Sequence, residues 1–544
     1  MKNFITNQKF LILLWVLSIV GLFIFCGHYN NTLLDIGREI IYPEQILRGK
    51  VLYKDLFNIY GPFSYLWNAF LYKTISENIL TLYLSGSLCS LGIVSGIYLL
   101  SRKFLSEFLS FSVSGFCIIT GICAVHLFNY TLPYSFAMLY GTLGFIYSLL
   151  FLVKFKETNS NNFLYLASLL CGLSIACKYD FFLFGGLVFV IALQTKNKRV
   201  ILNSLTCLMF IPAISFIILV LQGLRPNDFV TALADVKSII SSKSLNYFYK
   251  VQGIYFSPVV IFLWLVNFFR TGVCFVGLVL GAKLAEKHKI PGWILVGIFT
   301  VITFILASVP VFMFLAPLGL ILLFVGNFRN KLSPETTVLM LGALSVCAKS
   351  FWVMLPLNYG NYVLPTLLVA VFAIIFCFVD KKYEKVFAIG LLAVGFSFLT
   401  TSFSDRLKLD NPIATEKGVI YTLKSNAQAT RELIKILKIR KIHKAYIYPE
   451  GLIVNFLTDT ASDGYYNSLL PLYSESLGEE RFIEAIEKNR PDAIVLSNQN
   501  MREYGVEYIC SDYAFKICEY ISENYVMSDN LNMGFGYMVF TRKR

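Results

Sequence analysis

Apolar runs near the roughly 20 residues that cross a bilayer as a helix recur along this chain from Phe10 to about Phe403. The chain has 544 residues, 56% hydrophobic and 15% charged, with a mean hydropathy of +0.65, far outside the range of soluble domains. In lipid each backbone donor and acceptor must be satisfied within its own segment, so the runs are read as helices. The expected fold is a polytopic α-helical membrane protein with about thirteen spans. These fall near 10–29, 79–101, 105–126, 131–153, 162–178, 180–194, 199–222, 257–282, 291–309, 310–327, 335–350, 361–379 and 385–403. Residues 404–544 carry an ordinary mixture of charge, turn residues and short apolar segments, and are read as a separate C-terminal α/β domain.

The formal net charge of +14 is not a nucleic-acid signature here, because the basic residues follow the membrane. They gather at Lys2/Lys9, Arg102/Lys103, Lys154/Lys156, Lys196/Lys198/Arg199, Lys283/Lys287/Lys289, Arg329/Lys331 and Lys381/Lys382/Lys385, which is every second turn. By the positive-inside rule the N-terminus is cytoplasmic, and an odd number of spans puts the C-terminal domain outside. The outward segments are then 30–78, the turns at 127–130, Lys178 and Pro310, the stretches 223–256 and 351–360, and the tail. Phe10 to Cys26 has no small-residue cleavage site and reads as a retained anchor. Ten of the twelve cysteines lie in spans, as small apolar side chains. The other two are Cys510 and Cys518; one continuous helix through "CSDYAFKIC" would hold them roughly 12 Å apart, too far for a disulfide. The four histidines are scattered, and no CxxC or HExxH spacing occurs, so no metal ligands are assigned.

The first outward segment is dense in charge. From Leu33 to Leu47 a helical rhythm places Asp35, Arg38 and Glu39 at i, i+3 and i+4, with Glu44 beyond. The expectation is a helix along the outer membrane surface with one face in lipid. A turn through Tyr53 and Asp55 follows, and "Tyr60-Gly61-Pro62-Phe-Ser-Tyr65" re-enters the interface with aromatic residues suited to headgroup level. The residues alone leave two readings: a solvated amphipathic helix, or a patch holding a lipid phosphate beside a proton acceptor.

The pattern Asp35-x-Gly37-Arg38, Gly49-x-x-x-Tyr53-x-Asp55, Tyr60-Gly61-Pro62-x-x-Tyr65 resembles the first outer loop of the GT-C superfamily, the polyprenol-dependent membrane glycosyltransferases. Within it the likeness is to the family-39 branch of protein O-mannosyltransferases, lipid A aminoarabinose transferases and their bacterial relatives. The resemblance implies a bacterial cytoplasmic-membrane enzyme that moves a sugar from a polyprenyl-phosphate donor to a hydroxyl acceptor by direct inverting displacement. It implies that Asp35 is the catalytic base and that Arg38 helps hold the donor phosphate. Many relatives have Asp-Glu where this chain has Asp35-Ile36. Any role of that second acid, contact with a divalent cation included, would fall to Glu39 or Glu44.

Other polar residues stand at span ends. Lys178-Tyr179 matches a Lys-Tyr pair that faces the donor phosphate in the family; from the residues alone Lys178 equally reads as a snorkelling lysine. Lys349, Tyr359 and Tyr362 resemble a late outer loop lining the donor site, and equally suit an aromatic belt. His126 reads as packing rather than a ligand. The amphipathic stretch from Arg225 to Lys250 is placed to cover the entrance, and Arg270 is read as marking a break in its span. A transporter or flippase, the rival reading, would carry buried ionisable residues within its spans, which here are nearly free of charge. A non-catalytic envelope-assembly protein is the third reading. The expected partners are the lipid-linked sugar, a hydroxyl acceptor and membrane lipids, with no nucleic acid.

In the tail, helices are expected around Arg431 to Lys438, through "EERFIEAIEK", and after Tyr513. Strands are expected at "KAYIY", "DAIVL" and "GYMVFT". No glycine-rich phosphate loop is present, which argues against a nucleotide site. The "Pro449-Glu450-Gly451" stretch resembles the outer tail of the bacterial relatives, where it would contact the acceptor or act as a scaffold.

Overall fold

The computed structural model describes residues 9–306, 311–356, 358–533 and 535–543. Each of the thirteen expected spans coincides with a helix in the described residues, but only seven are long and apolar enough to cross a membrane. These are Ile79–Ser101, Phe136–Thr158, Lys198–Leu221, Pro258–Lys287, Lys289–Leu306, Gly360–Phe378 and Lys381–Lys408. The rest are shorter, such as Lys9–Phe25, Leu315–Phe328 and Pro334–Ser345. Lys2 and the turn at Pro310 lie outside the described residues.

Helix starts follow local chemistry. The Asn78, Ser135, Asn197 and Ser257 side chains each accept a hydrogen bond from an N–H of the first turn they precede. Pro258 adds a ring already at helical φ. The expected break at Arg270 does not occur: the helix runs unbroken from Pro258 to Lys287. A long arginine side chain leaves the backbone ladder intact and costs little helix propensity. The expected 105–126 span instead ends early. Glu107–Cys117 passes into a π turn over Ile118–Ile122 and then into loop, which folds back so that Tyr130 N donates to the Gly121 carbonyl at 3.0 Å. Phe136–Thr158 and Gly360–Phe378 sit at the bundle centre, with 83% of their most apolar windows buried; Pro258–Lys287 and Lys289–Leu306 lie at the periphery, with 17%.

The Gly37–Leu47 helix departs from the surface helix expected. Gly37 and every residue from Glu39 to Ile46 are buried, so neither face is left for lipid. The tail covers it. A Cβ on Gly37 would stand 2.7 Å from the Ile453 backbone nitrogen, so glycine permits the close approach of the two segments. Gln45 Nε2 donates to the Ser462 carbonyl (2.8 Å), and Arg48 pairs with Asp459 (2.6 Å). The apolar, outward-facing role passes to Phe63–Thr74, where Trp67 and Phe70 are exposed.

In the tail, β1 (Asn411–Thr415) and β2 (Gly418–Thr422) form an antiparallel hairpin. A mixed four-stranded sheet has the order β3-β4-β6-β5, from β3 (Ala445–Tyr448), β4 (Ala493–Ser497), β5 (Tyr525–Leu531) and β6 (Tyr537–Arg542). β3 and β4 are parallel, and every residue in them is buried, as expected of strands covered on both faces. The three expected helices and three expected strands are present; the hairpin and β5 were not anticipated. Cys510 and Cys518 form a disulfide, with Cα atoms 5.6 Å apart. This corrects the distance expected from one helix: the helix begins only at Phe515, and the preceding loop folds Cys510 back toward Cys518.

Candidate active site

A cavity of about 990 Å³ lies where the first loop, the ends of several membrane helices, the 226–251 segment and the tail converge. Asp35, Tyr60, Lys178, Tyr179, Lys349 and Tyr359 line it. Sequence separations of more than 300 residues are thus closed onto one space.

Asp35 sits one residue before the N-cap of the Gly37–Leu47 helix. Its carboxyl makes no hydrogen bond or ion pair among the described residues, although it faces the cavity. Burial, together with the nearby charge of Glu503, pushes it up to about 7, while Arg38 pulls in the opposite direction. Glu450, contributed by the turn after β3, is pushed up to about 8 by burial and by Asp35, and accepts a hydrogen bond from Gln499 Nε2 at 3.3 Å.

Three cations surround the rings of Tyr60 and Tyr359. The Arg38 guanidinium lies 4.8 Å from the Tyr60 centroid and donates from Nη2 to the Tyr60 hydroxyl at 3.3 Å. Lys178 Nζ lies 4.6 Å from Tyr60 and 4.7 Å from Tyr359, and Lys349 Nζ lies 4.4 Å from Tyr359. Burial alone would raise the Tyr60 phenol, but Arg38, Lys178 and Lys349 together bring it below its ordinary range. The potential at this end of the cavity is therefore positive. Lys178 is 2% exposed; its Nζ makes no hydrogen bond, and Asp180 stands 3.6 Å away. An ammonium so placed carries hydrogen-bonding capacity that the protein leaves unused.

Backbone contacts set this geometry. Gly61 N donates to the Cys177 carbonyl at 3.0 Å, and a Cβ on Gly61 would collide with the Ala176 carbonyl. The glycine brings Tyr60 within reach of Lys178. Tyr53, at φ 68°, donates its hydroxyl to the Tyr60 carbonyl (2.5 Å) and approaches the Tyr179 hydroxyl (3.3 Å).

The remaining candidates lie off the cavity lining. Glu39 is fully buried behind Arg38, accepting from the Tyr65 hydroxyl (2.6 Å) and the Phe136 N–H (2.8 Å). Glu44 pairs with Arg48 and Lys417, both at 2.9 Å, on the tail side. Asp55 caps its own turn by accepting from Val51 N at 2.9 Å. Tyr362 is buried, stacked 5.6 Å from Tyr130. Glu39 and Glu44 are thus both engaged by internal partners and stand off the lining that carries Asp35. Among the described residues no group of three or more His, Cys, Asp or Glu side chains is placed to hold a metal ion. His126 Nδ1 accepts from Phe128 N at 3.1 Å, and its ring lies 6.3 Å from that of Phe128.

The cavity also has lining that sequence reasoning did not single out: Gln499, Asn500, Glu503 and Tyr504 from the loop after β4, facing a space that Tyr134 also lines. The available signal was "Ser497-Asn-Gln-Asn" directly after an apolar strand, since ligand crevices in such sheets open beyond the carboxyl ends of parallel strands. The Arg225–Lys250 stretch forms two helices, Pro226–Ile240 and Lys243–Val251, which contribute Val236, Ile239 and Phe248 to the lining. They are tied to the tail through Asp235, which accepts from Arg481 (2.8 Å) and Tyr466 (2.7 Å).

No known protein family and no curated protein sequence matches the chain. Among solved structures it is similar to ArnT from Cupriavidus metallidurans bound to undecaprenyl phosphate, with 12% identity, 98% of each chain covered and a TM-score of 0.45. It is similar also to the archaeal oligosaccharyltransferase AglB from Archaeoglobus fulgidus in complex with an inhibitory peptide and a dolichol-phosphate. There the identity is 10%, the coverage 98% of this chain and 74% of the other, and the TM-score 0.48. At TM-scores below 0.5, these likenesses assign the chain neither a fold family nor an activity.

Proposed function

We propose that this protein is an integral membrane glycosyltransferase of GT-C type, family-39-like, that moves a sugar from a polyprenyl-phosphate donor to an acceptor hydroxyl. One observation carries the reading: an unpartnered carboxyl, Asp35, and a buried ammonium without a hydrogen-bond partner, that of Lys178, line one cavity at the end of an apolar helix bundle. The first-loop pattern from Asp35 to Tyr65 supports it.

In this reading the donor phosphate lies against Lys178 and Lys349, with Tyr60 and Tyr359 between them and Arg38 behind Tyr60. Asp35 accepts the acceptor's proton as its oxygen bonds to the anomeric carbon. The bond from that carbon to the phosphate oxygen breaks, and the electron pair leaves on the polyprenyl phosphate. The three cations stabilise the charge that develops there, most effectively where water is partly excluded. A single displacement inverts the anomeric centre. Residues 1–403 would form the catalytic membrane domain and 404–544 the extracytoplasmic domain. The Cys510–Cys518 disulfide supports that orientation, since such bonds persist in oxidising compartments.

The test is transfer by the purified full chain in nanodiscs from a panel of radiolabelled polyprenyl-phosphate sugars, comparing the parent with Asp35→Asn. General-base removal is expected to lower the rate by at least ~100-fold while polyprenyl phosphate binding persists. Full transfer by Asp35→Asn would remove Asp35 from the mechanism, and no transfer by the parent with any donor would sink the reading.

A further inference from the structure

The cavity is chemically two-sided. Its bundle side carries Lys178 and Lys349; its tail side carries Gln499, Asn500, Glu503, Tyr504 and Tyr508. Strand β4 delivers its carboxyl end to this side, into the 498–508 loop, and Glu450 in the turn after the parallel neighbour β3 backs Gln499 without lining the cavity. Gln499 is 9% exposed, yet its Oε1 has no hydrogen-bond partner, while its Nε2 donates to Glu450. A buried amide oxygen left unpaired forfeits its hydrogen bond to water unless a ligand supplies the donor. The loop is held for such a role. Asn498 Oδ1 accepts from Gly536 N (2.8 Å), Arg502 pairs with Glu507 (2.8 Å), and Tyr504 stacks on Phe248 at 5.5 Å.

We propose that this tail side is an acceptor subsite for a saccharide, with Gln499 and Glu503 hydrogen-bonding sugar hydroxyls and Tyr504, Tyr508 and Tyr473 packing against the apolar faces of the sugar rings. The inference rests on the glycosyl-transfer reading above and names its acceptor class. A sugar ring offers hydroxyls that both donate and accept, which suits an amide beside a carboxyl, and C–H faces that suit aromatic rings. A peptide acceptor held by strand addition would need a free sheet edge for its main chain. No strand of the tail reaches the cavity among the described residues, so no sheet edge is offered to one.

The experiment measures binding rather than turnover. Saturation-transfer NMR is recorded on the full chain in nanodiscs with maltotriose, cellotriose, chitotriose and mannotriose, and with a Ser/Thr-containing peptide pool. Binding of farnesyl phosphate is measured in parallel on the cationic side. At least one trisaccharide is expected to bind the parent, with affinity falling at least ~10-fold in Gln499→Leu and in Tyr508→Ala and farnesyl phosphate affinity unchanged in both. Tyr508 is exposed, so its substitution leaves the fold intact. Binding of the peptide pool alone, binding of no trisaccharide, or trisaccharide affinity unchanged in both variants each overturns the subsite. Trisaccharide binding without farnesyl phosphate binding would instead keep the subsite and sink the donor reading.

Discussion

Lys178→Met distinguishes a phosphate-binding ammonium from one that only anchors a helix end. The side chain is 2% exposed, its Nζ makes no hydrogen bond, and its carboxylate neighbour Asp180 stands at 3.6 Å. A hydrogen bond to a charged group contributes about 1.5–3 kcal/mol, which is roughly 10- to 150-fold in affinity. The dissociation constant of a polyprenyl phosphate should rise by that factor in the variant. Stability should move the other way. Burying an ion costs several kcal/mol even after relaxation, and the Asp180 contact and two ring faces offset only part of that. Methionine fills a similar volume, adapts its shape and needs no partner. Asp180, 24% exposed, loses an ion-pair neighbour but keeps contact with water, which limits the gain without reversing it. Without ligand, Lys178→Met should therefore unfold at the same or a higher temperature than the parent, while the rise in unfolding temperature caused by a polyprenyl phosphate shrinks. Thermal unfolding of both proteins in nanodiscs, with and without farnesyl phosphate, reads both signs. A variant several degrees less stable, with ligand stabilisation intact, would show that Lys178 anchors structure, and the argument from an unused ammonium would fail.

A carboxylate base works only when ionised, and Asp35 is pushed up to about 7. Transfer should therefore fall as pH drops through that value, by about tenfold between pH 8 and pH 6. Glu503→Gln, which removes one of the charges holding Asp35 up, should move that limb to lower pH; a profile flat from pH 5 to 8 would contradict both the base and its environment. Gly61→Ala should force the Tyr60 segment away from the Ala176 carbonyl and lower transfer at least ~10-fold, read as kcat at matched folded protein. Unchanged kcat would mean that the approach of Tyr60 to Lys178 does not matter.

What could be read along the chain and what could not divides on physical lines. The apolar runs, their capping residues and the alternating basic turns are local, and bilayer thickness acts on each run by itself. That is why a helix stands at every expected span. Asp35, Tyr60, Lys178, Lys349 and Tyr359 were also legible, as polar residues at the ends of such runs. Reading the chain locally went wrong where a second segment supplied the partner. Leu33 to Leu47 has the rhythm of a surface helix, but burial depends on what covers the other face, and the tail covers it through Gly37, Gln45 and Arg48. Glu39 and Glu44 look like available acids until Tyr65, Phe136 and Lys417 arrive from 26, 97 and 373 residues away. Cys510 and Cys518 look too far apart until the loop between them turns back. By itself, then, the sequence determined a multi-helix membrane body, a small α/β tail and a short set of polar residues at helix ends, because periodicity and hydropathy act over one element at a time. Only the tertiary structure decided which of those residues share a cavity and which are spent on internal partners. It also decided that the loop after β4 closes the far wall, since these outcomes depend on long-range packing that no single stretch encodes.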